Sequence, residues 1–185
     1  HGKQAEKNKT GGIVHGIKSH CRKPFFHLFQ GFDDRTSVSL IGGGHAFGKC
    51  HGACAEPPCG EGAAQGIGNN TFTSGFEGPW TTQPSKWTNE YFTNLFDYNW
   101  TLGENPNGSP IWFPEVGPAI IMLTTDIALR DDPAYNPITQ EYADDITILE
   151  EDFAKSWYRL MTGDMGSRER CLNDDAPESQ PWQYG

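Results

Sequence analysis

The 185-residue sequence has no apolar run of membrane-spanning length. The longest, from Ala119 to Leu123, is far below the roughly 20 residues a bilayer-crossing helix needs. It is also short of positive charge. Fourteen Lys and Arg stand against 24 Asp and Glu, for a formal net charge of −10 and a pI near 4.9. Such a surface repels phosphate and argues against nucleic-acid binding. The five cysteines, Cys21, Cys50, Cys54, Cys59 and Cys171, form no pair of closely spaced clusters. The group Cys50, His51, Cys54 and Cys59 has zinc-ligand residue types but irregular spacing. A disulfide within that group is the better reading if the chain is secreted, and the odd total leaves at least one thiol unpaired or bonded to another chain. The sequence starts at His1 rather than Met, and no secretory leader is visible in it, which fits a mature chain or a fragment equally. The four Asn-x-Ser/Thr sites at Asn8, Asn69, Asn99 and Asn107 point towards a secretory route, hence a secreted glycoprotein.

What is present is glycine, proline and aromatic residues. Twenty-two Gly, 13 Pro and a mean hydropathy of −0.62 predict long loops around one modest core. Residues 1–31 show no period and end in the apolar patch Phe25, Phe26, Leu28, Phe29, which predicts an irregular start followed by one short helix or turn. Asp33 or Asp34 can cap a helix through Val38, Leu40 and Ile41 that runs into Gly42-Gly43-Gly44-His45. Three consecutive glycines weaken a helix by roughly 1 kcal/mol each, so the run implies close approach by something flat or bulky.

Residues 52–80 read as loop. Pro84 and Ser85 open a helix whose apolar face is Trp87, Tyr91, Phe92, Leu95 and Phe96. The Gly- and Pro-rich stretch 101–118 predicts a loop with short strand pairing. Ile120–Leu123 reads as a buried strand or helix entry, and Thr124-Thr125-Asp126 caps a short helix ending before Pro133. Asn136-Pro137 starts another. Thr147 to Glu150 fits a capping box for a last helix with Leu149, Phe153, Trp157, Leu160 and Met161 on its apolar face. Trp87, Tyr91, Phe92, Phe96, Phe153 and Trp157 are read as core.

Three blocks then acquire a meaning together. Leu40-Ile-Gly-Gly-Gly-His45-Ala-Phe-Gly-Lys49-Cys-His51 resembles the proximal-histidine motif of heme peroxidases. Ser74 to Trp80, continuing through Trp87-Thr-Asn-Glu-Tyr-Phe92, resembles the next block of class I. Met122-Leu-Thr-Thr-Asp126 to Tyr135 resembles the third. The later segment from Glu141 to Trp157, together with Asp164-Met-Gly, is similar to catalase-peroxidases and fungal hybrid peroxidases. The resemblance implies a mainly α-helical fold, the proximal helical domain of the heme-peroxidase fold with long loops and a short β hairpin. With the aperiodic start and the polar, Pro-containing end read from the residues, the expected organisation is an irregular segment at 1–31, the proximal heme-peroxidase domain at 32–165 and an extended tail at 166–185.

The resemblance also implies heme b as cofactor, hydrogen peroxide as substrate and an electron donor of unknown identity. His45 is then the axial iron ligand, Asp126 the carboxylate on its other nitrogen, and Trp80 the tryptophan stacked beside it. Lys49, His51 and Ser74 lie near the heme propionates. The chemistry asks for these types: a carboxylate on the far ring nitrogen pushes the ligand towards imidazolate, and a buried indole N–H needs an acceptor.

The partner motif of the resemblance, Arg-x-x-aromatic-His on the distal side, is not found. The residues before His45 hold His1, His15, His20, His27, Arg22 and Arg35, none in that order. The expectation is therefore the proximal half of a peroxidase, a fragment or one chain of a split enzyme, with feeble turnover by itself. The alternative is a heme-free descendant serving as a binding or assembly module, whose exposed inter-half surface another chain covers.

Overall fold

A computed structural model describes residues 32–50, 76, 78–105, 110–172 and 175–183. The expected turn at Phe25–Phe29, most of the 52–80 loop, His51 and Ser74 lie outside them. Among the described residues the order is α1 (Asp34–His45), α2 (Glu90–Asp97), β1 (Trp100–Glu104), β2 (Pro110–Pro114), β3 (Met122–Leu123), α3 (Thr124–Asp131), α4 (Asn136–Asp144) and α5 (Ile146–Thr162), then a single 3-10 turn at Arg168–Arg170. Helix dominates, as expected, and the strands form one small antiparallel sheet in the order β1-β2-β3.

Helix α1 starts where Asp33 caps it, accepting the Thr36 N–H at 2.7 Å. It continues unbroken through the three glycines to His45. A Cβ on Gly42 would lie 2.0 Å from the Phe92 ring, and one on Gly43 would lie 2.2 Å from the Phe153 ring. The flat bodies against these two glycines are thus the protein's own aromatics, from α2 and α5. Gly44 differs: nothing lies within 4 Å of its added Cβ.

Two helices depart from the sequence reading. The one expected from Pro84 begins only at Glu90. Residues 82–89 are held in turns instead. Thr82 N–H donates to Glu90 Oε1 at 2.6 Å, the Trp87 indole donates to Glu150, and the Asn89 amide bonds the Tyr142 and Ala143 carbonyls. These contacts, most of them made by side chains, tie the segment to α2, α4 and α5 along a non-helical path. The last helix is capped by Asp145, which accepts from Thr147 N and Oγ1 at 2.8 and 2.7 Å, rather than by a box from Thr147 to Glu150.

The apolar face of α5 is also not what periodicity predicts. Leu149 is fully buried and Phe153 packs on the core, but Trp157 is 49% exposed, and Leu160 and Met161 are exposed as well. The seam with α1 is built from small residues. Ser39 and Ser156 hydroxyls meet at 2.7 Å, and Gly43 admits Phe153. This close approach turns the bulky residues of the following turn outward.

The tail returns to the same helix. Trp182 donates to Thr162 Oγ1 at 2.9 Å, and the buried Gln183 donates to the Tyr158 hydroxyl at 3.0 Å. Arg159 lies over both Trp182 and Phe32, tying the start of the described chain to its end. The core proper gathers Val38, Tyr91, Phe92, Leu95, Met122, Ile127, Tyr142 and Leu149 from five helices and the sheet.

Candidate functional site

Three segments converge at the C-terminal end of α1. The first is α1 itself, which ends on His45. The second is the extended piece Gly78-Pro79-Trp80. Gly78 is bridged to Cys50 by two backbone hydrogen bonds of 2.9 and 3.1 Å, and Pro79 C=O accepts from Ile121 N–H at 2.9 Å. Gly78 has φ +136°, and a Cβ there would press on Ile121. Trp80 comes directly after, its carbonyl held by Asn94 at 3.1 Å. The third is the β3–α3 junction. The β2–β3 register pairs Ile111 with Leu123 and Trp112 with Met122, and the Trp112 indole bonds Thr124 Oγ1. This sets Asp126 in the first turn of α3, where its carboxylate accepts the Leu123 N–H at 2.8 Å.

Asp126 is 1% exposed and collects donors from every side. Oδ2 accepts from Leu123 N and from Trp80 Nε1, the latter at 3.1 Å. Oδ1 accepts from the Tyr91 hydroxyl at 2.9 Å and faces His45 Nδ1 at 3.4 Å. That last contact is long, and Nδ1 lacks the alignment of a full hydrogen bond. The Trp80 ring lies flat on the imidazole, centroids 3.8 Å apart and planes within 8°. Tyr91 meets the imidazole edge-on at 5.2 Å.

Burial, then the Asp126 charge and the bond to it, hold the Tyr91 hydroxyl well above its ordinary pKa of 10. It stays a neutral phenol and a donor. With its Nδ1 turned to Asp126, His45 has Nε2 left over, and among the described residues no group bonds that nitrogen. The His45 side chain keeps 22% exposure.

The expected residues thus divide. The structure brings His45, Trp80 and Asp126 into one contact group. Lys49 is exposed in the segment after α1, four residues beyond His45. His51 and Ser74 fall outside the described residues. Tyr91, which the sequence marks as core, is fully buried, but its hydroxyl also belongs to the Asp126 group. The signal for this second role is chemical: a tyrosine at a core position needs a partner for its O–H.

Among the described residues no three His, Cys, Asp or Glu side chains gather to hold a metal, and no helix is long and apolar enough to cross a membrane. One imidazole, oriented by a buried carboxylate and offering its second nitrogen, suits a metal whose other ligands come from a macrocycle. Such an arrangement is one that heme proteins of several classes can use.

Comparison with known proteins says which class. The model of the peroxidase family matches residues 21–145, and the chain belongs to the peroxidase family, whose cofactor is heme b. It is similar to the catalase-peroxidase of Rhodopirellula baltica, 41% identical over 183 aligned residues covering 82% of this chain and 21% of that protein. The catalase-peroxidases of Acaryochloris marina and Xanthomonas euvesicatoria are 38% and 40% identical, with 25% and 24% of their lengths covered. The chain spans about a fifth to a quarter of the curated relatives it matches.

Proposed function

We propose that this chain is the proximal side of a hydrogen-peroxide-dependent heme peroxidase, with His45 as the axial ligand. The observation that carries the reading is the joint engagement of His45, Trp80 and Tyr91 by one buried carboxylate, Asp126. Bound heme would supply the redox chemistry of peroxide reduction.

The chain's own residues do the rest. Asp126 faces Nδ1 and so keeps the proton on that nitrogen, leaving the Nε2 lone pair for the metal. Its charge also stabilises positive charge developing on the imidazole or on the stacked Trp80 indole, which suits Trp80 to give up an electron. Gly44, with open space above it, keeps side-chain bulk away from one flank of the helix end that carries His45. Lys49, His51 and Ser74 are the groups we assign to the carboxylates of the porphyrin edge.

The 185 residues contain no Arg-x-x-aromatic-His, the pair that would move a proton between peroxide oxygens and stabilise the departing one. Turnover by this chain alone is therefore expected to be feeble, with the distal side supplied by further protein. The exposed Phe47, Trp157, Leu160 and Met161 support such a covering partner, and they are equally what a heme-free assembly module would present.

Hemin titration followed by absorption separates the two readings. A saturable Soret shift at one hemin per chain, with peroxide consumption far below that of an intact peroxidase, supports the first. No shift, or turnover at the rate of an intact peroxidase, contradicts it.

A further inference from the structure

We propose that Tyr91 is a positioning residue for the His45 imidazole: its hydroxyl takes a share of the Asp126 oxygen that faces Nδ1, and so limits how much negative charge the carboxylate pushes onto the ring. This deepens the axial-ligand reading above and rests on it.

The donors around Asp126 are sorted by oxygen. Oδ2 is taken by the Leu123 N–H at 2.8 Å and the Trp80 indole at 3.1 Å. Oδ1 is left for His45, yet the nearer donor to it is Tyr91 at 2.9 Å, with Nδ1 at 3.4 Å. A phenol has one proton to give, and among the described residues Oδ1 is the acceptor it reaches. Each donor withdraws charge from the oxygen it touches, so two donors on one oxygen weaken each other's bond.

The phenol cannot swing away. Tyr91 is fully buried in the first turn of α2, edge-on to Phe92 at 5.0 Å. The residue two before it, Asn89, is tied to the Tyr142 and Ala143 carbonyls. The hydroxyl is therefore a fixed competitor, and the basicity of the imidazole depends on how Oδ1 is divided.

Tyr91→Phe keeps the ring and removes only the competitor. Tyr142→Phe serves as control, because it removes a hydroxyl that bonds Asp152 instead. Two readouts are taken on the full chain. In the cofactor-free protein, nitrogen-15 NMR of His45 should show the Nδ1–H resonance moving downfield in Tyr91→Phe, with exchange into water slowed about tenfold. In the hemin-loaded protein, the ferric–ferrous equilibrium should shift about tenfold towards ferric, which is a potential lower by about 59 mV for a one-electron couple. Tyr142→Phe should change neither.

If hemin binds but both readouts stay at wild-type values, Tyr91 is ordinary packing and the proposal falls while the heme reading stands. If hemin does not bind but the resonance moves, the competition at Oδ1 is real and the heme reading falls. If neither occurs, both fall.

Discussion

The Trp80 indole lies on the His45 imidazole at 3.8 Å, within 8° of parallel, and both rings turn a nitrogen to the same buried carboxylate, Asp126: Trp80 Nε1 donates to Oδ2 at 3.1 Å, and His45 Nδ1 faces Oδ1 at 3.4 Å. Two residues 35 positions apart in sequence are thereby coupled through a third that lies 46 further on. One backbone bridge, Cys50 to Gly78, and one strand register, Ile111 to Leu123, bring them together.

Asp126 is the first point of attack. Asp126→Ala would leave the Trp80 and Leu123 N–H groups and the Tyr91 O–H buried without an acceptor. The expected loss is about 3–5 kcal/mol in urea unfolding of the cofactor-free chain. Asp126→Asn keeps one acceptor oxygen and should lose about 1–3 kcal/mol. Equal and negligible effects from both would show that the carboxylate does not organise the site.

The three glycines should separate by position. Gly42→Ala places a methyl 2.0 Å from Phe92 and should cost about 1–3 kcal/mol through overpacking. Gly44→Ala meets nothing and should stabilise the cofactor-free helix by about 0.5–1 kcal/mol. Thermal melts of the two variants should move in opposite directions.

On α5, burial predicts a contrast. Leu149→Ala, in the core, should cost about 2–5 kcal/mol. Trp157→Ala, half exposed, should cost about 1 kcal/mol or less. A large loss at Trp157 in the isolated chain would mean that its ring is covered.

Acid should weaken the start of α1. Burial alone would raise the Asp33 carboxyl, but hydrogen bonds from Thr36, with Arg159 and Arg35 nearby, outweigh it and hold the pKa below 3.8. A carboxylate depressed in the folded state contributes stability above its unfolded pKa, and that contribution is lost as pH falls through the folded value. Asp33→Ala should therefore cost about 1 kcal/mol near pH 7, and the difference from wild type should shrink below about pH 4. A cost independent of pH would assign the cap to something other than its charge.

Much of the fold is legible in the sequence because the relevant signals are local. Asp33 before Thr36, Asp126 in a first turn and the Gly-Gly-Gly-His run each declare a helix end within a few residues. The family resemblance then links His45, Trp80 and Asp126, whose proximity no local pattern carries. The departures are tertiary. Trp87 sits at helical spacing from Tyr91, yet its indole is drawn to Glu150 and the helix waits until Glu90. Trp157 keeps a helical phase with Phe153, but the Ser39–Ser156 seam turns it outward. Gly42 and Gly43 imply a flat neighbour, and periodicity does not say that the neighbours are Phe92 and Phe153 rather than a porphyrin.

The proposed role of His45 Nε2 as iron ligand can be read spectroscopically. The most direct measurement is the absorption and electron paramagnetic resonance spectrum of hemin added to the full chain, to His45→Gly, and to His45→Gly with imidazole. The expected result is a one-to-one complex with a single axial nitrogen in the wild type, its loss in His45→Gly, and its return when imidazole fills the space beside Trp80 and Asp126. The same axial signature in His45→Gly without imidazole would contradict it.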